Sequence, residues 1–151
     1  MILIFGGAYQ GKLDYAKKNF DIETVCDCSD GAAPDFAADA IYGIDGFVKR
    51  CAVRKCEALV KKQQGKELEK QAEQRSPGSE QLPLEAADWF DERQEDWQNK
   101  VLIMTDVSQG IVPMEPELRA LREMNGRLML RLAAEADEVH RVFCGIGKRV
   151  K

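Results

Sequence analysis

Apolar positions follow two rhythms along the chain: short unbroken runs, and stretches in which they return every three or four residues. Met1–Phe5 is the first run, stopped by Gly6-Gly7, and it reads as a strand buried on both faces. Leu13, Ala16 and Phe20 then recur at helical spacing. Strand, glycine loop and helix are therefore predicted over residues 1–20. A second strand is expected within Glu23–Cys28, followed by a Gly/Ala/Pro/Asp connection, Ser29–Asp35. From Ile41 a helical period appears and continues through Ile44, Phe47, Val48, Cys51 and Ala52, with a basic, solvated stripe on the other side. Residues 61–81 are rich in Gln, Lys and Glu and include Ser76-Pro77-Gly78-Ser79, which predicts a polar helix end running into a mobile connection. A helix with Ala86, Phe90 and Trp97 on one side follows Pro83.

Val101–Asp106 is the clearest second buried strand, and Val107–Pro113 reads as a loop. A long helix is expected from Pro116, a residue favoured in the first turn, with Leu121, Met124, Leu128 and Leu132 on its apolar face. Gly126 interrupts that helix. A last strand, Glu138–Cys144, precedes Gly145-Ile146-Gly147 and a basic tail. Strands alternating with long helices imply an α/β domain with a mainly parallel sheet.

Composition narrows the picture without naming a chemistry. With 151 residues and 44% hydrophobic side chains, the chain suits a single domain, residues 1–151, that buries a core without staples. A net charge of −4 argues against a general nucleic-acid binder. No apolar run approaches the roughly 20 residues of a membrane span, and Met1–Phe5 lacks the basic leader of a signal peptide. Five cysteines with no export signal read as reduced thiols, so a cytoplasmic location is expected. Cys26-x-Cys28 lacks the second ligand pair that a structural zinc needs, and His140 is the sole histidine. Placed between Val139 and Val142, it reads as a satisfied core residue rather than a general base.

Candidate chemistry concentrates at Gly6-Gly7-Ala8-Tyr9-Gln10-Gly11-Lys12, which has the spacing of a P-loop. Glycines let backbone N–H groups converge on a phosphate chain, the next helix offers its positive end, and a lysine reaches the outer phosphates. Leu13 stands at the eighth position, where a P-loop normally carries the Ser or Thr that binds Mg²⁺, and leucine ligates no metal. The alternative reading is a turn that only packs the helix onto the sheet, with Lys12 solvated. Asp106 ends the buried strand where P-loop proteins often place an acid for metal or water, although aspartate there is also a common turn former. Asp30 and Asp45 read as turn or capping residues.

The glycine loop, Gly110-Ile111-Val112-Pro113, the stretch from Gly126-Arg127-Leu128 to Val139, and the ending His140-Arg141-Val142-x-Cys144-Gly145-Ile146-Gly147 are similar to one family. They resemble a short form of the adenosylcobinamide kinase/adenosylcobinamide-phosphate guanylyltransferase family, over roughly residues 1–20 and 100–151. The resemblance implies a P-loop NTPase-like three-layer domain and a homotrimeric enzyme of cobalamin assembly. It implies ATP or GTP as nucleotide, adenosylcobinamide as corrinoid substrate, and GMP transfer through a covalent guanylyl-histidine. Carried onto this chain, it assigns nucleotide binding to Gly6–Leu13 and catalysis to Lys12 and Asp106, with Asp106 also the candidate metal ligand.

Three positions depart from the family pattern. Leu13 replaces the hydroxyl that holds Mg²⁺, Thr105-Asp106-Val107-Ser108-Gln109-Gly110 carries a shorter acid than the usual Asn-Glu motif, and Asp45 falls where a histidine is expected. The sequence therefore leaves two readings: a nucleotide-dependent kinase acting on a cobinamide, and a catalytically impaired homologue that serves as a nucleotide-binding or regulatory module.

Overall fold

The computed structural model describes residues 1–63 and 83–151. Most of the polar stretch at 61–81 lies outside the described residues. In chain order the elements are β1 (Ile2–Gly6), α1 (Lys12–Asn19), β2 (Val25–Asp27), β3 (Ala40–Tyr42), α2 (Ile44–Gln63), α3 (Ala86–Asp91), α4 (Gln94–Trp97), β4 (Val101–Thr105), α5 (Pro116–Glu135), β5 (Glu138–Phe143) and β6 (Ile146–Arg149). The strands form one sheet in the order β2-β3-β4-β1-β5-β6. All neighbours are parallel except β5 and β6.

Buried parallel strands must send apolar side chains to both faces. Leu3, Leu102, Met104 and Val139 face one core with Phe47 of α2 and Leu128 and Leu132 of α5. Ile4, Ile103 and Val142 face the other, with Ala16 of α1. Helices thus cover both sides of the sheet, giving the three layers of the expected α/β fold. The larger core carries an aromatic cluster in which Trp97 donates its indole N–H to the Phe90 carbonyl at 2.8 Å.

The structure differs from the sequence reading at three elements. Ile41, read as the start of a helical period, lies in β3, and the helix begins at Ile44. Three residues are too few to show a strand period, and their apolar side chains merge with those of α2. The single helix expected after Pro83 is two short helices, α3 and α4. The basic tail forms β6, an antiparallel edge strand. Its turn has positive φ at both central residues, Cys144 (50°) and Gly145 (77°), the geometry that lets a two-residue hairpin follow the twist of its strands.

Topology decides where a ligand can approach. β1 lies between β4 and β5, but the chain leaves β1 through α1 toward β2 and leaves β4 through α5 toward β5. These connections run over opposite faces and part at the carboxyl ends of β1 and β4. Open α/β sheets bind ligands in the crevice formed at such a divergence.

Candidate functional site

The glycine loop and Asp106 meet at this divergence. The Asp106 N–H donates to the Gly6 carbonyl at 2.8 Å, so the last ladder bond between the two strands brings both candidates side by side. Gly6 is required there by space, because a Cβ would lie 2.2 Å from the Val142 carbonyl oxygen.

Beyond Gly6 the loop takes a left-handed conformation at Tyr9 (φ 57°) and again at Gly11 (φ 74°), with Gln10 between them at negative φ. Such alternation turns successive N–H groups toward a common side and makes an anion-binding concavity. Among the described residues, no hydrogen bond is made by the backbone N–H groups of Ala8 through Asp14, whereas Gly7 still follows the β1–β5 ladder toward the Val142 carbonyl. The first turn of α1 adds its positive end to the same place.

Lys12 is not solvated. Only 5% of it is exposed, and its ammonium donates to the Gly7 carbonyl at 2.7 Å, spanning the loop from end to start. Burial lowers the Lys12 pKa from its ordinary value, and the negative charge of Asp45 pushes it partly back. A hemmed-in cation over unpaired N–H groups is an arrangement that favours a multiply charged anion.

Leu13 points elsewhere. Its side chain packs against the Ile4, Ala16 and Ile103 cluster beneath α1. Asp106 accepts hydrogen bonds from the Ser108 N–H at 2.9 Å, the Ser108 hydroxyl, and the Gln109 amide at 2.9 Å. Burial alone would raise its pKa, but the Gln109 and Ser108 bonds and the Arg141 charge outweigh that and hold it below the usual carboxylate value. Among the described residues no group of three His, Cys, Asp or Glu side chains could hold a metal ion. Leu13 brings no oxygen ligand to the loop, so of the candidate metal ligands only Asp106 lies beside it.

Several contributors to this geometry escaped the sequence reading. Asp45, in the first turn of α2, accepts the Thr105 N–H at 2.9 Å, and Asn125 of α5 donates to the Thr105 carbonyl at 3.0 Å. The residue before Asp106 is thereby held from two helices. Gln10 binds the β5–β6 turn twice: its side-chain oxygen accepts the Cys144 N–H at 2.6 Å, and its carbonyl accepts the Gly145 N–H at 2.9 Å. Only the aspartate near a helix start carried a signal, and that signal suggested a cap rather than a strand anchor. Asp30 accepts the Ala32 N–H in a turn, as its pattern suggested.

His140 is the satisfied core residue anticipated. Its Nδ1 lies 3.0 Å from the Tyr15 hydroxyl and its Nε2 lies 2.9 Å from Glu138, which also pairs with Arg149. Gly147 makes room for Tyr15, since a Cβ there would overlap the ring. Burial, followed by the charges of Asp27, Asp45 and Asp14, raises the Tyr42 pKa, so the flank of the loop toward β3 is acidic. No helix among the described residues is long and apolar enough to cross a membrane.

A family model described as cobinamide kinase / cobinamide phosphate guanyltransferase matches residues 54–150, well over half of the chain. The match takes in the middle of the chain, where the sequence resemblance was weak, and leaves the glycine loop outside it. The chain is also 47% identical over 51 residues to the bifunctional adenosylcobalamin biosynthesis protein CobU of Salmonella typhimurium, and 43% identical over 51 residues to the Escherichia coli protein of that name. Each alignment covers 34% of this chain and spans only 28% of the relative's length.

Proposed function

The chain belongs to the cobinamide kinase / cobinamide phosphate guanyltransferase family, and from that premise we propose that it binds a nucleoside triphosphate, ATP or GTP, through Gly6–Leu13 and phosphorylates a cobinamide. The observation that carries this reading is the loop itself: unpaired N–H groups, left-handed backbone at Tyr9 and Gly11, and a buried Lys12 ammonium, all at the divergence of α1 and α5. The kinship to proteins named for adenosylcobalamin biosynthesis supports the corrinoid substrate.

In this reading the N–H groups of Ala8–Leu13 cradle the β-phosphate, and Lys12 exchanges the Gly7 carbonyl for β/γ oxygens. The transferred phosphoryl group carries dispersed negative charge in its transition state, so an ammonium poised beside it stabilises that state more than the ground state. Asp106, held ionised next to Gly6, orients the attacking hydroxyl of the corrinoid side chain. No step is assigned to a metal held by the protein. Guanylyl transfer is not part of the proposal: Asp45 is committed to Thr105, and His140 is enclosed by Tyr15 and Glu138.

A second reading, a binding or regulatory homologue without turnover, is favoured by one observation, the packing of the partly buried Leu13 against the core beneath α1. Phosphoryl transfer from γ-labelled ATP or GTP to cobinamide separates the two. Labelled corrinoid supports the kinase; nucleotide binding without label transfer supports the module. A Leu13→Thr variant that gained transfer would identify the missing hydroxyl as the cause. The homotrimer implied by the resemblance, as well as the cytoplasmic location, belongs to the proposal and is checked by sedimentation and by fractionation.

A further inference from the structure

Away from the glycine loop, Cys26 in the middle of β2 and Cys28 just beyond the strand project to one side, and their sulfurs are 3.7 Å apart. Residues two apart on a strand share a face at about 6.6 Å between Cα atoms, inside the upper limit for a disulfide. Cys26 is partly exposed and its sulfur accepts the Asp35 N–H at 3.4 Å, whereas Cys28 is completely buried. Burial, then the neighbouring Cys26, pushes the Cys28 thiol well above its ordinary pKa. The pair is thus asymmetric: Cys26 is partly open to solvent and Cys28 is enclosed.

We propose that Cys26 and Cys28 form a reversible disulfide by exchange with a low-molecular-weight disulfide such as oxidised glutathione. The Cys26 thiol loses its proton to solvent, and the thiolate attacks one sulfur of the reagent, releasing one thiol and leaving a mixed disulfide on Cys26. The Cys28 sulfur then attacks the Cys26 sulfur and passes its proton to the departing glutathione thiolate, which leaves as the second thiol. Both cysteines are oxidised and the small disulfide is reduced to two thiols, so electrons and protons balance.

The position gives the bond something to act on. The Cys28 carbonyl and Ser29 lie so close to Gly46 and Gly43 that a Cβ at either glycine would meet them within 2.4 Å. Those glycines bracket the start of α2, where Asp45 holds Thr105. Drawing the two sulfurs into a bond moves a segment packed directly on the helix end that supports the strand tip.

Peptide mapping of the full chain tests this directly, because residues 19–49 contain no Lys or Arg before Lys49, and Cys26 and Cys28 are the cysteines in that tryptic fragment. The reduced protein is incubated with oxidised glutathione, alkylated and digested. The proposal expects the 19–49 fragment to lose two hydrogens and take up no alkylating reagent, and to recover both alkylation sites after dithiothreitol. In a Cys28→Ala variant the same treatment should trap glutathione on Cys26. Two results overturn the proposal: a stable mixed disulfide on Cys26 in the wild type, or two alkylatable thiols in 19–49 while exposed Cys144 becomes glutathionylated.

Discussion

Two loops leave the same edge of the sheet from adjacent strands, and they are built in opposite ways. Gly6–Leu13 is pinned at four points, with Tyr9 between them fully exposed: Gly6 against β5, Gln10 to the Cys144-Gly145 turn, Lys12 back to Gly7, and Leu13 against the core. The loop after β4 is anchored at its first residue by Asp106 and further on by surface arginines, Arg122 to the Gly110 carbonyl at 3.2 Å and Arg119 to the Pro113 carbonyl at 3.3 Å. It holds Ile111 almost fully in solvent, at 95% exposure, and leaves Met114 exposed as well. Solvent-exposed bonds and few buried contacts mark segments that open at low free energy. A rigid loop suits a fixed charge pattern such as a triphosphate, and an adaptable apolar one suits a bulky organic partner.

The largest expected effect strikes the rigid loop at its origin. Gly6→Ala places a methyl group against the Val142 carbonyl, and the obstructing atoms are backbone that cannot swing aside. Unfolding in urea should show a loss of about 3 kcal/mol or more. A variant as stable as wild type would mean that the loop is less constrained than described.

Next in size is the charge. Lys12→Ala should weaken triphosphate binding by about 100-fold, equivalent to ~2.7 kcal/mol, because a desolvated cation facing several phosphate oxygens is lost. The pH dependence follows from the lowered pKa of Lys12. The ammonium form holds phosphate, so affinity should persist below that pKa and fall as pH rises through it, starting below the 10.5 of an ordinary lysine. Titrations from neutral to alkaline pH check this, and Lys12→Arg should remove the decline, since a guanidinium stays charged.

Gln10→Ala removes a side-chain bond between the loop and the hairpin turn. It should cost up to about 1 kcal/mol in thermal or urea unfolding, the net worth of one hydrogen bond, because water can serve the exposed Cys144 N–H. The smallest effect belongs to the other loop. Ile111→Ser should change stability by less than about 0.5 kcal/mol, as expected for an exposed side chain. If Ile111 proved as costly as Gln10, the contrast between the loops would fail.

Much of this contrast was legible in the sequence, and the limits are instructive. An apolar run ended by Gly6-Gly7 and followed by Lys12 declared strand, loop and helix, and Val101–Thr105 declared its neighbour, because long buried strands and amphipathic helices leave periodic traces. β3 left none, being three residues long and continuous with the apolar face of α2. The tail hid β6 because this edge strand has no buried face and so needs no apolar alternation, and its Cys-Gly turn departs from the common Asn-Gly signal. In the candidate site, the glycine loop was readable as a pattern because two glycines and a lysine at fixed offsets lie next to one another in the chain. Supporting residues were not: Asp45, Asn125 and Gln10 act on backbone groups distant in the chain, and nothing in their local sequence announces those partners.

Isothermal titration of ATP and of GTP into the full chain, with and without Mg²⁺, tests the central claim most directly. Saturable binding of at least one nucleotide, abolished or strongly weakened in Lys12→Ala and present without the metal, is the predicted result. Heats no different from dilution for both nucleotides under every condition would contradict it.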